Sequence, residues 1–453
     1  MTDREIIEKV QAFFKHVSDL YQPFPKGLFK QYGVKRGLRN EDETGVMVGL
    51  TSVGQVIGYR FEDGNKIPIE GHLEYRGYDI NDIVKSCERD GRFGFEEVVF
   101  LLLCGKLPSE VMLDRFNKLM GECRPLPEGF TEDMILKAPS SNIMNKLGRS
   151  VLTLYSYDDN PDEISVANIM RQSIRLISSL SVIAAYGYQA KRHYYDGESL
   201  HLHHPQPELS TAENLLFMLR PDNQFTRDEA ETLDVLMMVQ AEHGGGNNSA
   251  FTTRVVSSSG TDTYSAIAAA IGSLKGPKHG GANAKVMGMM EDIKSHVKDW
   301  ADEDEVKAYI EKILKKDAYD RTGLVYGMGH AIYTLSDPRC VLLKERAARL
   351  AAKNPEWDKE FKLYNTVEKL TPECFYRIKN SKKYMCANVD MYSGFVYKML
   401  DIAPEMYTPI FAISRIPGWC AHRLEETIGC SRIIRPAYKS IVDSKEYIPL
   451  QER

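Results

Sequence analysis

From about residue 81 to the C-terminus, apolar residues return at helical spacing in one segment after another. That periodicity points to a mostly helical fold. The longest run, ISVANIMRQSIRLISSLSVIAAYGYQAKR (164–192), reads as a single buried helix. FEEVVFLLLCGKLPS (95–109) stops at Gly105 and Pro108, and AENLLFML (212–219), RDEAETLDVLMMVQAEH (227–243) and EDEVKAYIEKILKK (303–316) repeat the pattern. SAIAAAIGSLKG (265–276) has the small residues of a close helix contact. In DPRCVLLKERAARLAAK (337–353), Asp337 is placed to cap a helix whose first residue is Pro338. Ile6, Ile7, Val10, Phe13, Phe14, Val17 and Leu20 predict an amphipathic helix at the start of the chain.

One region breaks the pattern. Residues 44–80 are rich in Val, Ile, Tyr and Gly, with Asp63-Gly64 between two runs as a hairpin turn signal. HYYDGESLHLHHPQPELS (193–210) reads as a polar loop. There is no internal repeat, low-complexity tract or flexible linker. The expected fold is mainly α, with a small β region near the N-terminus.

With 453 residues, 43% of them hydrophobic and 27% charged, the chain can bury a large core. Its net charge of −5 gives no bulk attraction for nucleic acid or anionic membrane, so an anionic ligand needs local cations. The most apolar stretch, 174–188, carries serines and Arg175 and is too short and polar to span a bilayer. The opening MTDREIIEKVQAFFKHV lacks the apolar core of a secretory signal. The eight cysteines form no CxxC pair, which suits reduced, buried thiols. These features lead us to expect a cytoplasmic protein with no nucleic-acid or membrane partner.

Three histidines stand beside glycine where a helix meets a loop: His243 in AEHGGGNNSAF, His279 in GPKHGGANAK and His330 in YGMGHAIY. Each is bland alone, but three among eleven histidines suggest a site. Asp390, in CANVDMYSGFVY, lies in an apolar and aromatic stretch where a carboxylate is costly without a partner. It reads either as a turn or cap residue or as a general base. Arg339 (SDPRC), Arg415 (ISRIPG) and Arg435 (IIRPAY) are individually compatible with surface ion pairs. Together they are the type of residue that clamps a di- or tricarboxylate through bidentate guanidinium bonds. No GxGxxG follows a strand, and neither a P-loop nor HExxH occurs. The cluster His201, His203 and His204 lies in the polar loop and is assigned no function.

At these residues the chain resembles the citrate synthase family. GPKHGGAN, GMGHAIY followed by SDPR, NVDMYSG, SRIPGWCAH and RIIRP run in the family's order and spacing, and AEHGGGNNSAF is similar to its first histidine loop. GHLEYRGYDI and FEEVVFLLLCGKLPS extend the likeness upstream, from about residue 40 to the C-terminus. The resemblance implies an almost all-helical homodimer. A large domain (1–282 plus 389–453) would carry both chain ends, and a small domain (283–388) would close over the substrates. It implies condensation of acetyl-CoA with oxaloacetate, the CoA thioester being a cosubstrate and no cofactor being tightly bound. Asp390 would take the methyl proton, His279 would stabilise the enol, and His330 would bond the oxaloacetate carbonyl and supply a proton. His243, Arg339, Arg415 and Arg435 would hold carboxylates, Arg435 serving the neighbouring subunit. The family often has a basic residue for coenzyme A phosphates where Thr334 stands here; Lys382 and Lys383 are the candidates expected to substitute for it. Glu242 replaces a common aspartate, and Ala284 a common acid. The pairing is sound chemistry: a carboxylate can enolise a thioester only if a preorganised donor meets the charge developing on oxygen.

Three rivals remain. 2-Methylcitrate synthase would use propionyl-CoA, a difference of one methylene, and relative kcat/KM for the two thioesters separates it. A metal enzyme would use His243, His279, His330 and Asp390 as ligands, and activity without metal separates it. A non-catalytic helical binding protein would require a broken acid–base set, and here the set is complete.

Overall fold

The computed structural model describes residues 2–13, 23–42, 44–380, 384–430 and 432–453. It comprises two units, Met1–Gly49 with Arg435–Arg453, and Leu50–Ile434. The first unit holds helices α1 (Asp3–Phe13) and α2 (Lys26–Gln31), a single bridge between Arg39 and Gly45, and extended C-terminal chain. Ile6, Ile7 and Val10 of the expected amphipathic stripe lie exposed on α1. Phe14, Val17 and Leu20 fall outside the described residues.

The second unit opens with a three-stranded antiparallel sheet, β1 (Gly54–Glu62), β2 (Asn65–Tyr75) and β3 (Tyr78–Asp79). Asp63 and Gly64 turn the β1–β2 hairpin with positive φ angles of 50° and 79°, the geometry an Asp-Gly turn requires. The register slips between Ile57 and Tyr59, so Gly58 forms a bulge. Helices follow: α3 (Ile80–Arg89), α4 (Phe95–Cys104), α5 (Glu110–Glu122), α6 (Ile143–Leu154), α7 (Val166–Asp196), α8 (Thr211–Leu219), α9 (Arg227–Gln240), α10 (Asn248–Ser257), α11 (Thr263–Lys275) and α12 (Ala282–His296). After them come α13 (Glu303–Lys315), α14 (Pro338–Ala351), α15 (Pro355–Lys379), α16 (Asp390–Met399) and α17 (Tyr407–Gly429).

Helix α7 is the spine. Ser165 caps it by accepting from the Asn168 N–H, and it is buried almost continuously from Leu176 to Ala190. Ser178, Ser179, Ser181, Ala184, Ala185 and Gly187 keep its surface narrow, so α6, α8 and α17 pack closely on it. The polar loop begins later than expected, since His193–Asp196 continue the helix until Gly197 ends it at φ 77°. Among the described residues no helix is long and apolar enough to cross a membrane. All eight cysteines are free; Cys87, Cys340, Cys374, Cys386 and Cys420 are buried, whereas Cys104 and Cys430 are exposed. The segment 283–388 and both segments flanking it within the unit belong to Leu50–Ile434.

Helix α4 shows how distant residues complete local structure. Its N-cap, Gly94, offers no side chain. Asp234 of α9, nearly fully buried, accepts from the Gly94 N–H at 2.7 Å and the Phe95 N–H at 3.1 Å. Burial and the nearby Glu96 push its carboxyl up to about 8 despite these donors. Asp234→Ala would orphan two buried N–H groups, and we expect it to cost about 1–3 kcal/mol in chemical denaturation. An unchanged midpoint and slope would show that these donors do not need it.

Candidate active site

Five chain segments deliver the site, the last being α17, which carries Arg415. The first is the loop between α9 and α10. The Tyr75 hydroxyl on β2 donates toward the carbonyls of Met238 at 3.0 Å and Glu242 at 3.2 Å and accepts from the Glu242 N–H at 3.3 Å, bolting down the end of α9. His243 follows, and Gly244 then turns the chain at φ 82°. Asn247 caps α10, accepting from the Ser249 N–H at 3.2 Å.

His279 sits in the turn between α11 and α12. The N–H groups of His279 and Gly280 both donate to the Gly276 carbonyl, at 2.9 and 3.1 Å. A side chain at Gly280 would lie 2.2 Å from the Leu274 carbonyl oxygen, so the turn closes only with glycine there. His279 Nε2 lies 3.2 Å from the Ser249 hydroxyl, which also accepts from Trp419 Nε1 at 3.0 Å and lies 2.8 Å from Asn247 Oδ1.

The third and fourth segments are paired to each other. Gly329 N–H donates to the Cys386 carbonyl at 2.7 Å, and Asn388 N–H to the Gly327 carbonyl at 2.8 Å. This short ladder ties the strand before His330 to the strand before Asp390. His330 Nδ1 accepts from the N–H groups of Ile332 at 3.1 Å and Tyr333 at 3.2 Å, and its ring stacks on Tyr333 at 4.8 Å. A nitrogen that accepts two N–H bonds carries no proton, so this geometry puts the ring proton on Nε2.

Asp337 joins the same pair of segments. It caps α14 and grips Arg339 bidentately, Oδ1 accepting from Nε at 3.0 Å and Oδ2 from Nη2 at 2.7 Å. Oδ2 also accepts from the Val389 N–H at 3.2 Å, one residue before Asp390. Asp390 begins α16 and donates its own N–H to Asn388 Oδ1 at 3.0 Å; it is neither the cap nor an Asx-type turn.

His243, His279, His330, Arg339, Asp390 and Arg415 all line one cavity of ≈ 150 Å³. A larger cavity of ≈ 540 Å³, bounded by Tyr188, Leu216, Met287 and Met406, contains none of them. Burial pushes the Asp390 carboxyl up to about 6, with Arg339 pulling against it. Burial, aided by the Arg415 charge, lowers His279 to about 4, and the same influences with Arg339 hold His243 well below its usual range. The cavity therefore pairs a carboxylate able to act as base near neutral pH with imidazoles kept uncharged. Arg415 is buried, its Nε donating to the Gln240 carbonyl, while Nη1 and Nη2 have no partner. Two orphaned guanidinium NH2 groups on an arginine that lines a polar cavity are suited to receive an anion.

Arg435 is exposed in extended chain and belongs to the other unit. Lys382 and Lys383 fall outside the described residues. The Thr334 hydroxyl donates to the Gly58 carbonyl at 3.3 Å. His201 and His203 stack on each other at 6.4 Å, away from the cavity. Among the described residues no group of three His, Cys, Asp or Glu side chains is arranged to hold a metal ion. Ser249, Trp419, Asn388 and Tyr75 support the site, yet nothing in their spacing separates them from ordinary core residues, and sequence reasoning misses them.

Residues 42–437 match the family model described as citrate synthase, C-terminal domain. The citrate synthase of Synechocystis sp. is 32% identical over 390 residues, 85% of this chain and 89% of that protein. The 2-methylcitrate synthase of Shewanella oneidensis is 31% identical over 383 residues, 84% of this chain and 92% of that protein. Among solved structures, citrate synthase from Thermoplasma acidophilum, in ternary complex with carboxymethyl coenzyme A and oxaloacetate, superposes with a TM-score of 0.74. It is 24% identical and covers 92% of this chain and 99% of its own, a likeness of fold.

Asp337→Ala would strand the buried Arg339 cation and free the Val389 N–H. Breaking a buried pair from one side costs about 3–5 kcal/mol, so a clear drop in denaturation midpoint is expected. A change under about 1 kcal/mol would mean that the pair behaves as a solvated surface contact.

Proposed function

The chain belongs to the citrate synthase family, and from that premise we propose that it condenses acetyl-CoA with oxaloacetate and water, giving citrate and CoA. The observation that carries this reading is Arg415, whose Nη groups have no partner, lining the cavity that also holds Asp390, His279 and His330. A carboxylate receptor, a base and uncharged imidazole donors in one enclosure are what an enolisation followed by addition to a 2-oxo acid demands.

Arg415 binds an oxaloacetate carboxylate, with His243 beside it. Arg339, its charge offset by Asp337, completes that end. His330 presents its Nε2 proton to the ketone oxygen, polarising the carbon that is attacked and then protonating the new alkoxide. Asp390 removes a proton from the acetyl methyl group. His279, neutral because burial disfavours its cation, meets the charge growing on the thioester oxygen. The enol carbon attacks the ketone carbon to form citryl-CoA, and water then cleaves the thioester to release CoA.

Further parts of the reading rest on the resemblance. Because Asp337 offsets much of the Arg339 charge, a dicarboxylate would gain from a further cation; Arg435 of a second copy would supply it in a homodimer. Lys382 and Lys383 are the proposed contacts for coenzyme A phosphates. Thr334 is already bonded to the β1–β2 hairpin and offers them no charge. Closure of residues 283–388 over the rest of the chain would exclude water during the reaction. The cytoplasm is the proposed location, and the tricarboxylic acid cycle the proposed setting.

The second reading, 2-methylcitrate synthase, is favoured by one observation: the Shewanella relative is as similar as the Synechocystis one, 31% against 32% identical. An added methyl is worth only about 1–3 kcal/mol in a pocket. Thiol release from acetyl-CoA and propionyl-CoA in the presence of oxaloacetate tests both readings. A higher kcat/KM for acetyl-CoA is expected; the reverse order makes the enzyme a 2-methylcitrate synthase, and no thiol release from either overturns both.

Asp390→Ala is expected to lower kcat by about a hundredfold to ten-thousandfold, as loss of a general base does, while calorimetry still detects oxaloacetate binding. Retained turnover would remove Asp390 from the mechanism. The base works only when ionised, and its carboxyl titrates at about 6. The kcat/KM of the parent enzyme should therefore be level above that pH and fall about tenfold per unit below it. A profile level down to pH 5 would place the essential base elsewhere.

A further inference from the structure

Behind Arg415 lies a buried chain of charges that the reaction above does not use. Glu242 and His422 are both completely buried and meet at 2.8 Å, Nε2 against Oε1. His422 Nδ1 accepts from Arg254 Nη2 at 2.9 Å, so its proton sits on Nε2 and is donated to Glu242. The same Glu242 oxygen accepts the Gly244 N–H at 2.5 Å. Arg254 in turn donates to Glu426 at 2.9 Å and pairs with Glu425. Glu425 accepts the Ser52 N–H at 2.6 Å.

The other Glu242 oxygen, Oε2, has no hydrogen-bond partner. It packs against Gly418, where an added Cβ would stand only 2.5 Å away. Gly418 is three residues beyond Arg415 on α17, so the two share a helix face. The Arg415 Nε bond to the Gln240 carbonyl brings its guanidinium to the same stretch of chain. An unpartnered carboxylate oxygen thus packs on α17 one turn beyond Arg415, whose Nη groups are unpartnered too, and the two do not bond.

We propose that Glu242 is a built-in counter-charge to Arg415, a positioning residue that weakens the carboxylate clamp enough for anions to leave it. The proposal rests on Arg415 as the oxaloacetate receptor. Arg415 holds a cation in a buried site, and burial lowers it to about 10. Burial would raise the Glu242 carboxyl, but the facing His422 and Arg415 outweigh it and keep the group ionised. An incoming carboxylate is attracted by Arg415 and repelled by Glu242. The product bears one more carboxylate than the ketone it came from, so an uncompensated clamp would hold product hardest. His422 and the Gly244 N–H fix Glu242 in place, so it repels without collapsing onto Arg415 and filling the clamp itself.

Calorimetric binding of oxaloacetate to the full-length protein, without acyl-CoA, tests this. Glu242→Gln keeps an acceptor for both donors and removes the charge, and about a tenfold lower Kd is expected for a unit charge lost at this range. Glu242→Asp draws the charge back by one methylene and should tighten binding less, about two- to threefold. Citrate should inhibit turnover more strongly in the same order. A purely structural role predicts weaker binding in both variants, and that result or an unchanged Kd overturns the counter-charge. If Glu242→Gln does not fold, Glu242→Asp decides alone, on the same criterion. A parent protein that binds no oxaloacetate overturns the functional reading and this inference with it, whereas a parent that binds and variants that bind no tighter overturn the counter-charge alone.

Discussion

The carboxylate of Asp337 holds the site together. One side chain starts α14, occupies the fork of Arg339 and pins the backbone N–H that precedes Asp390. Its charge is spent on a cation that would otherwise be stranded in the core, and its position sets how a base and a cationic wall face each other. Because Asp337 and Arg339 flank Pro338 at a helix start, their relative geometry is fixed by backbone conformation and not by flexible side chains. Asp390 owes its raised affinity for a proton to the same arrangement: burial raises it, Arg339 opposes, and Asp337 sustains it.

Much of this molecule is legible in its residues, for definable reasons. Helix α7 announces itself because its apolar period is long, and α14 because Asp337-Pro338 marks a helix start whatever residues come after it. The β1–β2 hairpin is legible from Asp63-Gly64, since few other residue pairs accept two consecutive positive φ values. Helices α15 and α17 are harder to see. Pro372 and Pro417 lie inside them, at positions where proline normally ends or kinks a helix. The end of α7 reads one turn too early because Tyr194, Tyr195 and Asp196 look polar and loop-like, while the stop is set by Gly197.

The site divides in the same way. Three histidines beside glycines, a carboxylate in an aromatic stretch and arginines beside proline are visible because each pairing is unusual. What gathers them is not. The ladder between residues 327–329 and 386–388 is too short to leave a periodic trace. Ser249 and Trp419, which stand behind His279, are ordinary residue types in helices. Glu242 stands out in the sequence only as a departure from an aspartate, and its meaning comes from the buried company it keeps.

The hydrogen bonds around this cavity join residues very far apart along the chain. Gly71 reaches Ser336 across 265 positions, Glu242 meets His422 across 180, and Ser52 meets Glu425 across 373. Contacts of such separation close large loops and form late. A ribosome must therefore release most of α17 before Ser52, just ahead of β1, has its final neighbour. A nascent chain cut off ahead of Glu425 would carry every residue lining the cavity and still lack the acceptor for the Ser52 N–H and a partner for Arg254.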